Sequence, residues 1–289
     1  MTQAHDGGWI PVRKDFVDVD TRCQARGNSR RHHGFPHGQA YILRDAAGHE
    51  YPFGEDCARA AVAHPGLLLQ VPDYTERDVV PRTALPDPVP AGARRGGGGR
   101  RSAAETAAAE RLAAIRYLVL RMEKVAAVPR VQPTVRFPAL DPVYEQYLRT
   151  GDVATAQVRR ILAIERAPST PPRLRATNLL DVYTAHVKLE RLIAASNSVD
   201  NIRFLRGLHD WLARHLVLTA GQLAAAGIEM HPQAFTSPGI WGAGTEAAGP
   251  AVPAHSAPAD PNGSLFSPRL AEPAEKASNL QHRHPPVTP

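Results

Sequence analysis

Gly54-Glu55-Asp56-Cys57-Ala58 is where two short strand-like runs give way to an alanine-rich run. Ahead of it, Gln39–Leu43 and Glu50–Phe53 are rich in apolar and aromatic residues, as short strands are. Asp45-Ala46-Ala47-Gly48 lies between them and predicts a hairpin turn, with Gly48 free to take positive φ. After it, Ala58–Ala63 predicts a helix. Cys57 then falls in the first turn of that helix, where the helix dipole favours a thiolate. The other cysteine of the chain is Cys23.

Working outward, residues 9–21 alternate loosely. Phe16, Asp18 and Asp20 oppose Val17, Val19 and Thr21, which predicts a half-buried strand running into Cys23. A basic, histidine-rich loop over residues 22–38 follows, carrying Arg22, Arg26, Arg30, Arg31, His32, His33 and His37. Residues 65–90 are rich in proline and mark the end of this first unit. The expected division is a small domain over 1–75, a Pro/Gly/Arg-rich linker over 76–101, a helical domain over 102–230 and a disordered Pro/Ala-rich tail over 231–289. The linker holds Arg94, Arg95, Arg100 and Arg101 around a run of four glycines.

Helical spacing dominates after the linker. Ser102 and Glu105 form a capping-box pattern, and Leu112, Ile115, Val119 and Met122 recur at gaps of 3, 4 and 3. Phe137, Leu140, Tyr144 and Tyr147 repeat that spacing, and Val158, Ile161 and Leu162 make a shorter face. Pro171 and Pro172 open a long helix with Leu179, Val182, Leu189, Leu192 and Ile193. Ile202, Leu205, Leu212 and Leu216 line the next, and Thr219 caps a last short one. Short Gly- or Pro-marked joins predict an antiparallel bundle of five or six helices. The fold class is therefore mainly α, with a β-hairpin-plus-helix unit in front. In the tail, Phe235, Ile240, Trp241, Leu265 and Phe266 are apolar exceptions among Pro, Ala, Gly, Ser and His.

Composition narrows the class of function. The chain of 289 residues carries 34 basic against 28 acidic side chains, a net charge of +6, mostly through arginine. This permits contact with nucleic acid or an acidic partner. Two cysteines make no disulfide framework and fit a reducing compartment. The N-terminal residues lack the basic start and apolar core of a signal peptide, and no run approaches the roughly 20 apolar residues of a membrane span. A cytoplasmic protein is expected, and the Ala, Arg, Pro and Gly bias suggests a bacterial genome rich in G and C.

The order Cys23-Gln24-Ala25-Arg26-Gly27, His37, Tyr41-Ile42-Leu43, Gly48 and Phe53-Gly54-Glu55-Asp56-Cys57-Ala58 resembles small bacterial and phage zinc-ribbon-like modules over residues 9–64. Their pattern is Cys-x-x-Cys-Gly, a hairpin, then Gly-x-x-Cys-Ala opening a helix; here Arg26 stands in place of the second cysteine. The resemblance implies a structural zinc held by Cys23, Cys57 and His37, with His32, His33 or His64 as the fourth donor. A metal-free ribbon and a Cys23–Cys57 disulfide remain open beside it. His186 and Glu190, four apart, have a spacing that metal sites use, but it is also that of an ordinary helix-surface pair.

No Ser/His/Asp order, nucleophile elbow, phosphate loop or dinucleotide fingerprint is found in the sequence, so a non-enzymatic binding protein is expected. Nucleic acid is the leading partner, held by Arg22, Arg26, Arg30, Arg31, Arg94, Arg95, Arg100 and Arg101 through phosphate contacts that read no sequence. The runner-up is a protein–protein adaptor in which the bundle and tail hold partners. The sequence leaves the oligomeric state open.

Overall fold

A computed structural model of the chain describes residues 8–25, 33–77 and 102–241. A three-stranded antiparallel sheet stands at the N-terminal side, in the order β1 (Ile10–Phe16), β2 (Gln39–Arg44), β3 (Glu50–Phe53). The β2–β3 hairpin places Tyr41 opposite Phe53 and Arg44 opposite Glu50. Its turn is the expected one: Gly48 takes φ +89°, and its N–H donates to the Asp45 carbonyl at 3.1 Å. The Asp45 carboxylate accepts the N–H groups of Ala47 and His49, both at 2.9 Å. That is the side-chain turn mimicry for which Asp is favoured there.

β1 lies earlier than the alternation of residues 9–21 predicts. It ends at Phe16, and Thr21 N–H closes a turn onto the Asp18 carbonyl at 3.0 Å. Val19 is 67% exposed, so the alternation beyond Phe16 marks no buried face. Helix α1 (Glu55–Ala61) follows β3 through Gly54 and stops when Val62 turns extended. Leu43, Phe53, Ala58, Val62 and Leu68 bury themselves with Cys23 in a small core. Trp9 covers it, meeting Phe53 and Tyr51 edge-on at 4.9 and 5.6 Å.

The helical part starts at α2 (Ala103–Val119), where both reciprocal bonds of the Ser102–Glu105 capping box form. α2 is exposed over its first three turns, with Ala109 and Leu112 half-buried, and from Ala114 through Met122 the chain is buried almost all round, so the second half of α2 is central to the core. It ends in a π turn, Leu120–Lys124, in which Val125 N–H reaches the Leu120 carbonyl at 2.9 Å. The wider turn adds a residue and re-aims the side chains that follow. Then come α3 (Asp141–Thr150), α4 (Thr155–Arg166), α5 (Ala176–Ala195), α6 (Val199–His215) and α7 (Ala220–Ala225). α5 starts four residues after Pro172, which instead opens a single 3₁₀ turn over Pro172–Leu174. The Thr219–Gln222 pair forms the second capping box. Of the apolar positions singled out above, Ile115, Val119, Leu179, Val182, Leu205 and Leu212 lie in one core, whereas Leu112 and Ile202 are half-buried outside it.

The sheet and the helices pack into one unit. Phe16 and Tyr74, on the sheet side in sequence, join the helical core. Asp15, 2% exposed, accepts from Lys124 Nζ at 2.7 Å and from the Tyr183 hydroxyl at 2.9 Å. Arg191 of α5 donates to the carbonyls of Val17, Gly38 and His37 at 2.6, 3.0 and 3.2 Å. Arg77 pairs with buried Asp181 at 3.4 Å, so residues 76–77, assigned above to the linker, belong to the fold.

Ordered structure also continues past residue 230, where a disordered tail is expected. Phe235 (2% exposed) and Ile240 (5%) enter the helical core, and Phe235 N–H donates to the Asp181 carboxylate at 3.2 Å. Two apolar anchors and one buried acceptor hold a segment whose composition suggests none. The tail beyond residue 241, the linker from 78 to 101 with its four arginines, and the loop residues 26–32 lie outside the described residues. Among the described residues no helix is long and apolar enough to cross a membrane.

Candidate metal centre

Three elements meet at one end of the small core. Cys23 follows β1 and is 1% exposed. Cys57 sits at the third position of α1, half-buried. His33, exposed, lies on the segment leading back to β2. Their donor atoms all fall within 4.8 Å of one another. The two cysteines are not joined by a disulfide.

The local chemistry suits a cation. His33 Nε2 lies 3.4 Å from Cys57 Sγ. Two ligands on a tetrahedral zinc, at about 2.3 Å for sulfur and about 2.05 Å for nitrogen, stand about 3.6 Å apart. His33 Nδ1 faces the Gly34 carbonyl at 2.9 Å. If that nitrogen carries the hydrogen, Nε2 is left with its lone pair toward the sulfurs, the outer-shell arrangement that orients metal-binding histidines. Gly54 N–H donates to Cys23 Sγ at 3.4 Å, a bond that offsets thiolate charge. Glycine at 54 leaves the His33 ring its place: a Cβ there would lie 2.6 Å from His33 Cε1, and the ring would have to move.

Cys23 and His33 also close the base of the basic loop. Cys23 N–H donates to the His33 carbonyl at 3.0 Å, so these two positions are held side by side. Gln24 N–H is held in turn by the Pro52 carbonyl at 3.0 Å. A cation shared by Cys23, His33 and Cys57 would clamp both ends of this loop to α1.

Of the residues predicted as ligands, Cys23 and Cys57 are brought together and His33 joins them. His37 does not. Gly38, at φ +61°, closes a turn back to the Phe35 carbonyl at 2.8 Å, and His37 sits inside that turn with its own carbonyl bonded to Arg191. The residue ahead of the turn, rather than the one within it, reaches the sulfurs. His64 is engaged elsewhere, accepting the Gly66 N–H at 3.1 Å to cap a 3₁₀ turn. His32 lies outside the described residues. Of the predicted nucleic-acid contacts, Arg22 is described and exposed beside Cys23, and Arg26, Arg30, Arg31, Arg94, Arg95, Arg100 and Arg101 lie outside the described residues.

A second group forms between α5 and α6. His186 Nδ1 is 2.7 Å from His209 Nε2, and that nitrogen is 3.3 Å from Glu190 Oε1. Burial, reinforced for His186 by its histidine neighbour, holds both imidazoles below their ordinary values, His186 down to about 4. The i, i+4 pair on α5 is thus more than a surface pair: α6 supplies a third, buried member that spacing along one helix does not reveal. No protein family, curated protein or solved structure matches this chain.

Proposed function

We propose that this is a non-enzymatic, nucleic-acid-binding protein of a reducing compartment, the cytoplasm, whose zinc-ribbon-like N-terminal unit holds a structural zinc through Cys23, His33 and Cys57. The observation that supports the reading is the placement of Cys23 and His33 at the two ends of the basic segment, within reach of Cys57. A cation there fixes the base of the segment carrying Arg26, Arg30 and Arg31 and leaves the guanidinium groups to meet phosphate. His32, the neighbour of His33, is the fourth donor in this reading and makes the coordination closed, as structural zinc requires. The metal supplies cross-linking and no bond chemistry. Arginine suits the task because its planar fork grips phosphate oxygens in pairs.

The test is binding of labelled single-stranded RNA, single-stranded DNA and duplex DNA by the full chain across a salt series. Affinity should fall linearly with log salt, with a slope of about −0.7 to −0.9 per phosphate neutralised. Replacing Arg22, Arg26, Arg30 and Arg31 together by alanine should flatten that slope. Absence of binding at low salt, or a slope untouched by the four replacements, overturns the reading and leaves the adaptor reading in its place.

A further inference from the structure

We propose that His186, Glu190 and His209 form a second metal site, for a divalent transition-metal cation of the zinc class, which ties α5 to α6 independently of the cysteine centre. α5 and α6 form a helical hairpin. They are joined by residues 196–198 and pack side by side, so an i, i+4 pair on α5 faces a single position of α6. That position is His209, 4% exposed.

The three donor atoms converge within 4.8 Å. His209 Nε2 is the common point, with an imidazole nitrogen on one side at 2.7 Å and a carboxylate oxygen on the other at 3.3 Å. The second distance already matches the roughly 3.4 Å edge between two ligands of one tetrahedral cation. The first is a hydrogen-bond distance: without metal, the two rings share a hydrogen. A cation takes the place of that hydrogen once the rings part by about 0.6 Å, toward the same edge length.

The donor set selects the ion. Two imidazoles and one carboxylate suit zinc, cobalt, nickel or copper, whereas calcium and magnesium demand mostly oxygen. Glu190 is exposed and His186 half-exposed, so solvent reaches the site on the carboxylate side and fills the remaining position. A bound cation neutralises Glu190 and converts a part-buried His–His contact into a cross-link between the two helices.

Cobalt titration of the full-length protein tests this, because the two centres differ in colour. Thiolate ligation gives intense near-ultraviolet charge-transfer absorption; a nitrogen–oxygen site gives only weaker visible bands. Cobalt should bind in one equivalent beyond any that develops the thiolate band. His186→Ala and Glu190→Gln should each weaken that equivalent by at least about tenfold, since even outer-shell changes cost about 10–100-fold. The thiolate band should stay unchanged in both. Glu190 is exposed, so its variant reports even if the change at half-buried His186 prevents folding. No cobalt beyond the thiolate-associated equivalent, or wild-type affinity in both variants, overturns the proposal and leaves a hydrogen-bonded histidine pair.

Discussion

Lys124 Nζ of the π turn lies 2.7 Å from Asp15 Oδ2 of β1, across 109 residues of sequence, where both side chains are nearly withdrawn from solvent. The ammonium also sits 5.7 Å from the ring centroids of both Tyr74 and Tyr183. Asp15 receives further bonds from Arg13 Nε at 3.1 Å and from the Tyr183 hydroxyl. One carboxylate therefore collects donors from the sheet, from the end of α2 and from α5. Removing it leaves the Lys124 ammonium with the Glu123 carboxylate at 3.2 Å, but takes the acceptor from the Tyr183 hydroxyl. Asp15→Ala should lower the stability of the full chain by about 1–3 kcal/mol, the usual cost of leaving a buried donor unpaired. Urea unfolding of the two proteins checks this, and equal midpoints would show that the pair does not hold the sheet to the helices.

Gly54 makes room for the His33 ring, so adding a side chain there should affect metal binding rather than folding. Its φ of −65° is open to any residue. Gly54→Ala should keep the melting temperature of the metal-free protein close to wild type while weakening zinc by about 10–100-fold, as displaced outer-shell groups do. Competition against a chromophoric chelator measures it. An unchanged zinc affinity would remove His33 from the ligand set.

Glu50 supplies a pH dependence with a definite sign. Burial pushes its carboxyl up, but bonds from Arg44 Nη2 at 2.7 Å and Arg13 Nη1 at 2.5 Å outweigh burial and hold it below the ordinary value. A depressed carboxyl contributes stability above its unfolded value of about 4.3, and that contribution disappears as pH falls through the lower folded value. The pair is partly solvated, so Glu50→Gln should cost at most about 1 kcal/mol at neutral pH. The gap to wild type should close in acid below the ordinary carboxylate range. A gap of constant size at both pH values would assign the effect to shape rather than charge.

Phe235 tests the extension of the fold beyond residue 230. It is 2% exposed within the helical core, and Phe235→Ala should lower stability by about 3–5 kcal/mol. Thermal or urea unfolding reads this directly. A midpoint within error of wild type would mean that residues 231–241 only rest on the bundle.

Local rules made much of this architecture legible. The Asp45–Gly48 turn, the capping box at Ser102 and the cap at Thr219 each depend on residues within four positions, and all three form. The 3-4 spacing of Leu179, Val182 and Leu189 carries the helical core in the same way. What escaped depends on distant contacts. His33 and His37 are equivalent as letters; the turn at Gly38 separates them. His209 joins His186 and Glu190 only through the packing register of two helices. The π turn that aims Lys124 at Asp15 has no local marker. In the segment after residue 230, Phe235 and Ile240 were visible among prolines and glycines, but their pockets are made by other helices.

Cys23, His33 and Cys57 are proposed to hold one zinc ion. X-ray absorption at the zinc edge, on full-length protein loaded with one equivalent of zinc, tests it most directly. Two sulfur scatterers at about 2.3 Å with the rest of the shell nitrogen is the expected result, and Cys57→Ala should reduce the sulfur count to one. A zinc shell without sulfur, or a folded protein that retains no zinc, would contradict it.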